Sequence, residues 1–477
     1  MRINIKKTGK FTYEIPIDND PRMKVPGLIF GNEEIEKMGD DQVIGQVVNV
    51  SMIAGIVKAS IAMPDFNLGY GFPIGGVAAM RADDGSVSPG GVGYDINCGV
   101  SLMATPLKHQ DVSKSMEEIT DQIYRTVPVG MERSRRNVKT GFINSVLTHG
   151  LNFAREEGEA TATDMERTEN NGMLPVSDPP EISEMALKRG QAYLGTLGSG
   201  NHFLEVQKVA EIYERDIASS FLLNETGQIT VMIHSGSRGL GHQVATDYIN
   251  DIRKNSDRIP HPKDPQLDSV PIQSNYGQRY LTSMAAASNY GFVNRQLMVS
   301  SVRQVFLSRF RKFEVEDFPL VYSISHNTAL EESHRIDGED VKVLVHRKGA
   351  TRAFPPSKIK NGPFKKYGHP ILVPGDMGTC SYVLVATEEA PAISLASSCH
   401  GAGRKMSRHM AMSRFDSSNV INEMRDNGII LKAKDLSSIS SEAHGSYKDI
   451  DSVVNAIVGA GIAKPVAKLV PLGVVKG

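Results

Sequence analysis

The sequence predicts an α+β fold, organised as a single large mixed domain over residues 1–477. Three observations support this. At 477 residues and 52.0 kDa, with 40% hydrophobic and 22% charged residues, the chain has a globular composition and enough length to bury a large core. Strand-like and helix-like segments both recur along it. No repeat, heptad, low-complexity tract or strong linker divides it.

From the N-terminus, Phe11 to Ile15 reads as a short strand stopped by Pro16, and a helix begins at Glu34. Residues 53–103 are rich in glycine and small apolar side chains, with many turn signals. Residues 112–195 are mostly helical in pattern and carry the basic group Arg133, Arg135, Arg136 and Lys139. The polar, acidic, proline-containing stretch Glu156 to Glu184 reads as a surface excursion. Strands are expected at 229–234, 320–325, 341–346, 371–373 and 382–386, and helices at 241–253 and 283–312. Four prolines between Ser256 and Ser274 mark a loop insertion or lid.

The formal net charge of −1 excludes a global basic field, so any nucleic acid must be held by local basic clusters. The N-terminal residues have no apolar signal-peptide core. The apolar stretch from Val453 to Val475 is interrupted by Lys464, Pro465, Lys468 and Pro471, which argues against a membrane span. Three widely spaced cysteines fit a reducing cytoplasm rather than a disulfide framework. Cys380 and Cys399 read as inert core residues. Cys98 differs, lying three residues after Asp95 and between Asn97 and Gly99.

Five segments share one grammar, an apolar run beside a His or Cys set among glycine and small polar residues. They are Gly93–Gly99, Gly198–His202, Val231–Gly236, Leu395–Gly401 and, without glycines, Tyr322–Asn327. Strand ends followed by tight turns are where such scaffolds present catalytic groups. Asp95, Cys98, His202, His234 and His326 together form a donor set for a transition metal, too widely spaced for a zinc finger. Each histidine taken alone reads equally as a hydrogen-bonded core residue. A thiolate among the ligands points to zinc on softness alone.

His400 begins His400-Gly401-Ala402-Gly403-Arg404, a small turn suited to binding an anion and opening a helix. Arg404 and Arg408 are spaced one helical turn apart. The histidine there suits a general acid/base, a metal ligand or a covalent nucleophile, and the turn alone also fits plain phosphate binding. Arg238 and Arg189 lie near glycine turns and suit phosphate contacts, though each alone reads as a solvated charge. There is no P-loop, no strict G-x-G-x-x-G and no G-x-S-x-G. Nor is there a lysine nucleotidyl-transferase motif, since Arg335-Ile336-Asp337-Gly338 has Arg where the nucleophile would stand.

Over nearly its whole length the chain resembles the RtcB family of RNA-splicing ligases. The shared strings include Met63-Pro64-Asp65, Gly69–Ala79, Gly91–Val100, Gly198–Val206, His234–Gly239, Ser325–Asn327, His346–Thr351, Cys399–Arg404 and Pro471–Gly477. The resemblance implies an RtcB-type fold with a central active-site cleft. It implies joining of 2′,3′-cyclic phosphate or 3′-phosphate RNA ends to 5′-hydroxyl ends with GTP and two Mn²⁺ ions, as in tRNA splicing and RNA repair. In that light Cys98 bridges two metals, Asp95 and His202 complete one shell, and His234 and His326 the other. His400 is the nucleophile that carries GMP. Phe203, Glu205, Ser381, Tyr447 and Lys476 match positions around the guanine nucleotide, and Asn201 one near the triphosphate. Arg189, Arg238, Arg404 and Arg408 match positions that hold RNA phosphate or the nucleotide. RNA ends are the implied partner, with an archease-type activator as another.

Two positions depart from the family pattern. Asn67 stands where many relatives have His, and Asp376 where some have Ser near guanine. The Asp376 carboxylate is expected to accept from the base's N1–H and amino group. Two other readings compete with ligation: a metal-dependent phosphohydrolase acting on RNA ends, and a non-catalytic RNA-binding protein. The latter leaves the full donor set unexplained.

Overall fold

The computed structural model describes residues 2–38, 41–176 and 180–477. Two large sheets organise them. A seven-stranded sheet runs Lys6–Lys7, Thr12–Ile15, Gly27–Phe30, Ile56–Asn67, Ile74–Arg81, Glu339–Lys348, Asn327–Ile336, with one parallel pair between Gly27–Phe30 and Ile56–Asn67. An eight-stranded sheet runs Leu320–Ser325, Gly99–Lys108, Gln228–Ser235, Phe203–Ile212, Ala463–Lys476, Ser381–Ala386, Pro370–Val373, and Ile430–Ala433 pairs beside Ala463–Lys476. Valine, isoleucine and tyrosine on facing surfaces of the two sheets, among them Ile61, Val77, Val343, Ile371 and Tyr382, share one hydrophobic cluster with the helix Ile450–Gly459.

The helix Asn275–Arg309 forms a second centre. It is 35 residues long and buried along most of its length, so its apolar residues surround the axis instead of forming one stripe. Ser274 caps its start by accepting from the Gly277 N–H at 3.0 Å. It packs on the helices Met116–Thr126, Thr140–His149 and Arg238–Ile252 and behind the strands Gly99–Lys108 and Gln228–Ser235. Among the described residues no helix is long and apolar enough to cross a membrane.

Register places the functional edge. Gly99 pairs with both Ser235 and Ser325, and His234 pairs with Val100 and Phe203. Neighbouring strands here are antiparallel, so the start of one lies beside the end of the next. Cys98 and His202 precede their strands, His234 lies within its strand, and His326 follows its own. The expectation that all five segments are strand ends is therefore corrected for two of them, which are strand starts. All four side chains nonetheless reach the same edge.

The expected strands at 229–234, 320–325, 341–346, 371–373 and 382–386 are present, most extended by one or two residues. The helix expected from Glu34 is a short 3-10 turn, Glu33–Met38, and a helix, Gln42–Val50; residues 39 and 40 lie outside the described residues. The glycine-rich 53–103 region holds long strands, Ile56–Asn67 and Ile74–Arg81. Glu156 to Glu184 is not merely a surface excursion. Asp164 and Glu169 are buried, and Asp164 makes a two-pronged ion pair with the buried Arg303 at 2.6 and 2.7 Å. Removing one member of a buried pair leaves the other charge uncompensated. Asp164→Ala is expected to lower stability by about 3–5 kcal/mol, read as a drop in the urea midpoint at unchanged slope.

Candidate active site

A cavity of about 1280 Å³ opens at the shared strand edge. Asp95, Cys98, His234 and His326 line it on one side, and His400, Arg404 and Arg408 on another. Asn201, Phe203, Asp376, Tyr447 and Lys476 complete its wall. His202 lies just behind Asp95, while Glu205 and Ser381 are buried beneath the Phe203 and Asp376 wall.

The proposed metal donors converge. Cys98 Sγ lies 3.4 Å from His202 Nε2 and 3.3 Å from His234 Nε2, and His234 Nε2 lies 3.2 Å from His326 Nε2. Asp95 Oδ2 is 2.9 Å from His202 Nε2. The ligand atoms of Cys98, His202 and His234 all lie within 4.8 Å of one another. Burial, reinforced by neighbouring histidines, holds His234 and His326 well below the ordinary imidazole range, so both are neutral and offer lone pairs. Burial and the Asp95 carboxylate push the Cys98 thiol well up, so a thiolate there needs a cation against it. Asp95 Oδ1 and His326 Nδ1 are buried without hydrogen-bond partners. A donor set of this kind, with polar atoms left unpaired, fits divalent cations. Gly236 makes room: a Cβ there would stand 2.5 Å from Asp95 Oδ1.

His400 follows the short strand Ser397–Cys399. Its Nδ1 lies 2.6 Å from Asp65 Oδ2, and its backbone N–H donates to the same oxygen at 3.0 Å. Asp65 is fully buried, and its carboxylate can only accept, so Nδ1 donates to it and the ring is held with Nε2 away from Asp65. The His400 ring stands 4.8 Å from that of His326. The turn after it requires glycine, because Gly403 has φ +71° and a Cβ would meet the Asp65 carbonyl at 2.0 Å. No helix opens at this turn; the helix starts at Arg408, and Arg404 precedes it in a bridge to Tyr447. Arg404 and Arg408 converge for another reason. Both reach Glu442 Oε1, at 3.1 and 3.0 Å.

Glu442 is a hub. Its side chain is fully buried, Lys476 Nζ lies 3.5 Å from Oε2, and the Tyr447 hydroxyl donates to the same oxygen. Burial opposes its ionisation, but the three cations hold the carboxyl below its usual range. One carboxylate thus orders three cations and leaves net positive charge toward the cavity. Arg404 also lies over the Tyr447 ring at 5.0 Å. Asn201 Oδ1 accepts from Arg408 at 3.4 Å.

Of the remaining expected residues, Ser381 Oγ accepts from Gln207 at 3.1 Å. Asp376 accepts from the Gly378 N–H on one oxygen and meets His444 Nδ1 with the other, each at 2.9 Å. Asn67 donates to the Asp65 carbonyl at 3.2 Å. Arg238 runs beneath Gly198 to Thr196 and the Gly130 carbonyl, and Arg189 lies against Gly239; both stand outside the cavity wall. Sequence reasoning gave no role to Asp65, Glu442 or Lys348. Lys348 Nζ, buried and pushed down to about 7 by desolvation, reaches the Tyr70 and Gly90 carbonyls at the cavity edge. The Met-Pro-Asp and His-Arg-Lys strings marked two of these three residues; nothing marked Glu442.

This α+β frame, with a carboxylate-held histidine beside a cysteine–imidazole cluster at a deep cavity, has the features of an enzyme. Comparison with known proteins narrows it. Residues 46–477 match the family model described as tRNA-splicing ligase RtcB. The chain is similar to the tRNA-splicing ligase RtcB of Thermococcus kodakarensis, 45% identical with 100% of this chain and 99% of that protein aligned. It is 44% identical to the Nanoarchaeum equitans protein of the same name, with 100% of both aligned. It is also 44% identical to RNA-splicing ligase RtcB homolog 1 of Entamoeba histolytica, over 91% of this chain and 83% of that protein. The chain belongs to the RtcB family.

Glu205 supplies a pH signature. Burial raises its carboxyl from 4.5 to about 8, against the opposing pull of the Gln207 hydrogen bond and Lys476. Between those values the folded state holds a proton that the unfolded chain has released. Stability therefore falls as pH rises through this interval, and the loss is complete above about 8. Glu205→Gln is expected to flatten the decline of Tm between pH 4.5 and 8, measured without nucleotide.

Proposed function

We propose that this protein is a GTP-dependent RNA ligase that joins 2′,3′-cyclic phosphate or 3′-phosphate RNA ends to 5′-hydroxyl ends through a guanylylated histidine. The observation that carries this reading is the Asp65–His400 pair, at 2.6 Å, which leaves Nε2 as the free nitrogen on the cavity side. In this reading Nε2 attacks the α-phosphorus of GTP, an N–P bond forms, and the bond to pyrophosphate breaks. Nδ1 keeps its proton, donated in a hydrogen bond to Asp65, whose carboxylate stabilises the ring as it gains positive charge. The RNA 3′-phosphate, present as such or formed from a cyclic end when water adds at phosphorus and the P–O2′ bond breaks, then takes GMP from Nε2, returning the histidine to its neutral form. The 5′-hydroxyl attacks the activated phosphate, GMP leaves, and a phosphodiester remains.

Arg404, Arg408 and Lys476, ordered by Glu442, receive the triphosphate and RNA phosphates, with Asn201 beside them. Phe203, Tyr447, Ser381 and Glu205 frame the guanine. Asp376, held in place by Gly378 and His444, keeps further lone pairs to accept from the base's N1–H and amino group. Arg189 and Arg238 fit RNA phosphate on the outer approach. Asp95, Cys98, His202, His234 and His326 would hold two divalent cations, manganese in this reading. Such ions neutralise phosphate charge and orient the reacting groups. Residues 1–477 act here as one ligase domain, with RNA ends and GTP as partners.

The test is incubation with α-labelled GTP and Mn²⁺, followed by denaturing electrophoresis. An acid-labile, base-stable adduct in the wild type, absent in His400→Ala, is expected. Phosphate release from RNA ends without any adduct would favour a metal-dependent phosphohydrolase and overturn the ligase reading. Glu442→Gln is expected to slow adduct formation by roughly 10²-fold, because three cations lose the anion that aligns them and small misplacements cost rates of that order. The readout is the single-turnover rate of label incorporation.

A further inference from the structure

The contacts above provide for phosphates and for a guanine nucleotide but not for the bases of an RNA end. On the ligase reading, we propose that Tyr94, braced by Tyr70 and His242, is a stacking shelf for the terminal nucleobase of an RNA end entering the cavity.

Tyr70 and Tyr94 line the same cavity as Cys98 and His400. Their rings meet edge to face, with centroids 5.3 Å apart at 66°. On another side Tyr94 lies nearly parallel to His242, at 4.9 Å and 23°. Both tyrosines are half-buried and His242 is exposed, so the assembly sits at the cavity rim. Tyr70 and Tyr94 also pack against the hydrophobic cluster beneath them, which anchors the rings from below.

The shelf is held firmly. Lys348 Nζ donates to the Tyr70 carbonyl at 2.5 Å and stands 5.9 Å from the Tyr70 ring centre. Tyr94 immediately precedes Asp95, whose carbonyl accepts from Asn327 Nδ2 at 2.9 Å and whose carboxylate meets His202. His242 lies in the first turns of the helix that Arg238 begins. Chain connectivity thus sets the ring beside the donor cluster, within reach of a nucleotide whose phosphate is at the reacting centre.

Stacking also suits the task. Every base has a π-face, so an aromatic shelf accepts any terminal nucleotide, as ligation of unrelated ends requires. Single-stranded RNA is commonly gripped by bases splayed onto aromatic side chains. A ring already braced by its neighbours loses little freedom on binding.

Two hexanucleotide RNAs test this, one with a 5′-hydroxyl and 2-aminopurine as its first base, the other with a 3′-phosphate and 2-aminopurine as its last. The expected result is quenching of one probe by wild type and Tyr94→Phe. Tyr94→Leu should lose the quenching and bind roughly 5- to 100-fold more weakly. The quenched probe identifies which strand uses the shelf. Neither probe quenched at saturation, or wild-type Kd values in a folded Tyr94→Leu, would overturn the proposal. Adduct formation with GTP alone, measured on the same wild-type preparation, separates the two readings. Adduct without quenching removes the shelf and keeps the ligase. Quenching that depends on Tyr94 without adduct keeps an RNA-end shelf and removes the ligase.

Discussion

Arg295 lies midway along the Asn275–Arg309 helix with no exposed surface, and its guanidinium reaches two strands and the turn before a third. It donates to the carbonyl of Asn97 at 2.6 Å, to the Asn97 side-chain oxygen at 2.8 Å, to the Ser235 carbonyl at 3.0 Å and to Ser323 Oγ at 3.4 Å. Asn97 has φ +56°, a conformation that needs outside support in a non-glycine residue. That support fixes Cys98. No carboxylate pairs directly with Arg295, and burial lowers its pKa to about 10 while Cys98, Glu169 and Asp95 act to raise it. A buried cation held only by neutral acceptors depends on nearby negative charge. The helix behind the sheet and the donor cluster in front of it are therefore electrostatically one unit.

The same arrangement recurs around the cavity. His400 and three cavity-lining cations are each positioned by a buried carboxylate one layer back. Asp65 does this for His400, and Glu442 for Arg404, Arg408 and Lys476. Low dielectric strengthens such pairings and makes their loss costly. The inward-facing groups are thereby held in place before any substrate arrives, as electrostatic catalysis requires.

This layering explains what could be read from the sequence. Cys98, His202, His234, His326 and His400 stand in glycine-rich turns at strand boundaries, and such turns leave a local signature. Asp65 and Glu442 act through contacts across more than 300 and about 35 residues respectively, and a lone acid between Ser441 and Ala443 carries no local sign of burial. The spacing of Arg404 and Arg408 suggested a shared helix face, whereas a common carboxylate brings them together. Asp164 sits in an acidic, polar stretch, and only the distant Arg303 explains why it is buried. Strands with regular β-branched runs were legible. Ile56–Asn67 and Ala463–Lys476 were not, because proline interrupts both.

Ala463–Lys476 contains Pro465 and Pro471 inside a strand flanked on both sides, where proline is ordinarily excluded. Irregularities in pairing fall beside Leu384, the partner of Pro465, and between Pro471 and Gly473. Each proline lacks an N–H, so it tolerates only those alignments in which its neighbour asks for none. A strand slipped by one residue would present a missing donor to an intact ladder and turn every side chain to the wrong face. The two prolines thus key the native alignment: a shifted register would lack the donors it needs, whereas this one sets Lys476 opposite Phe203.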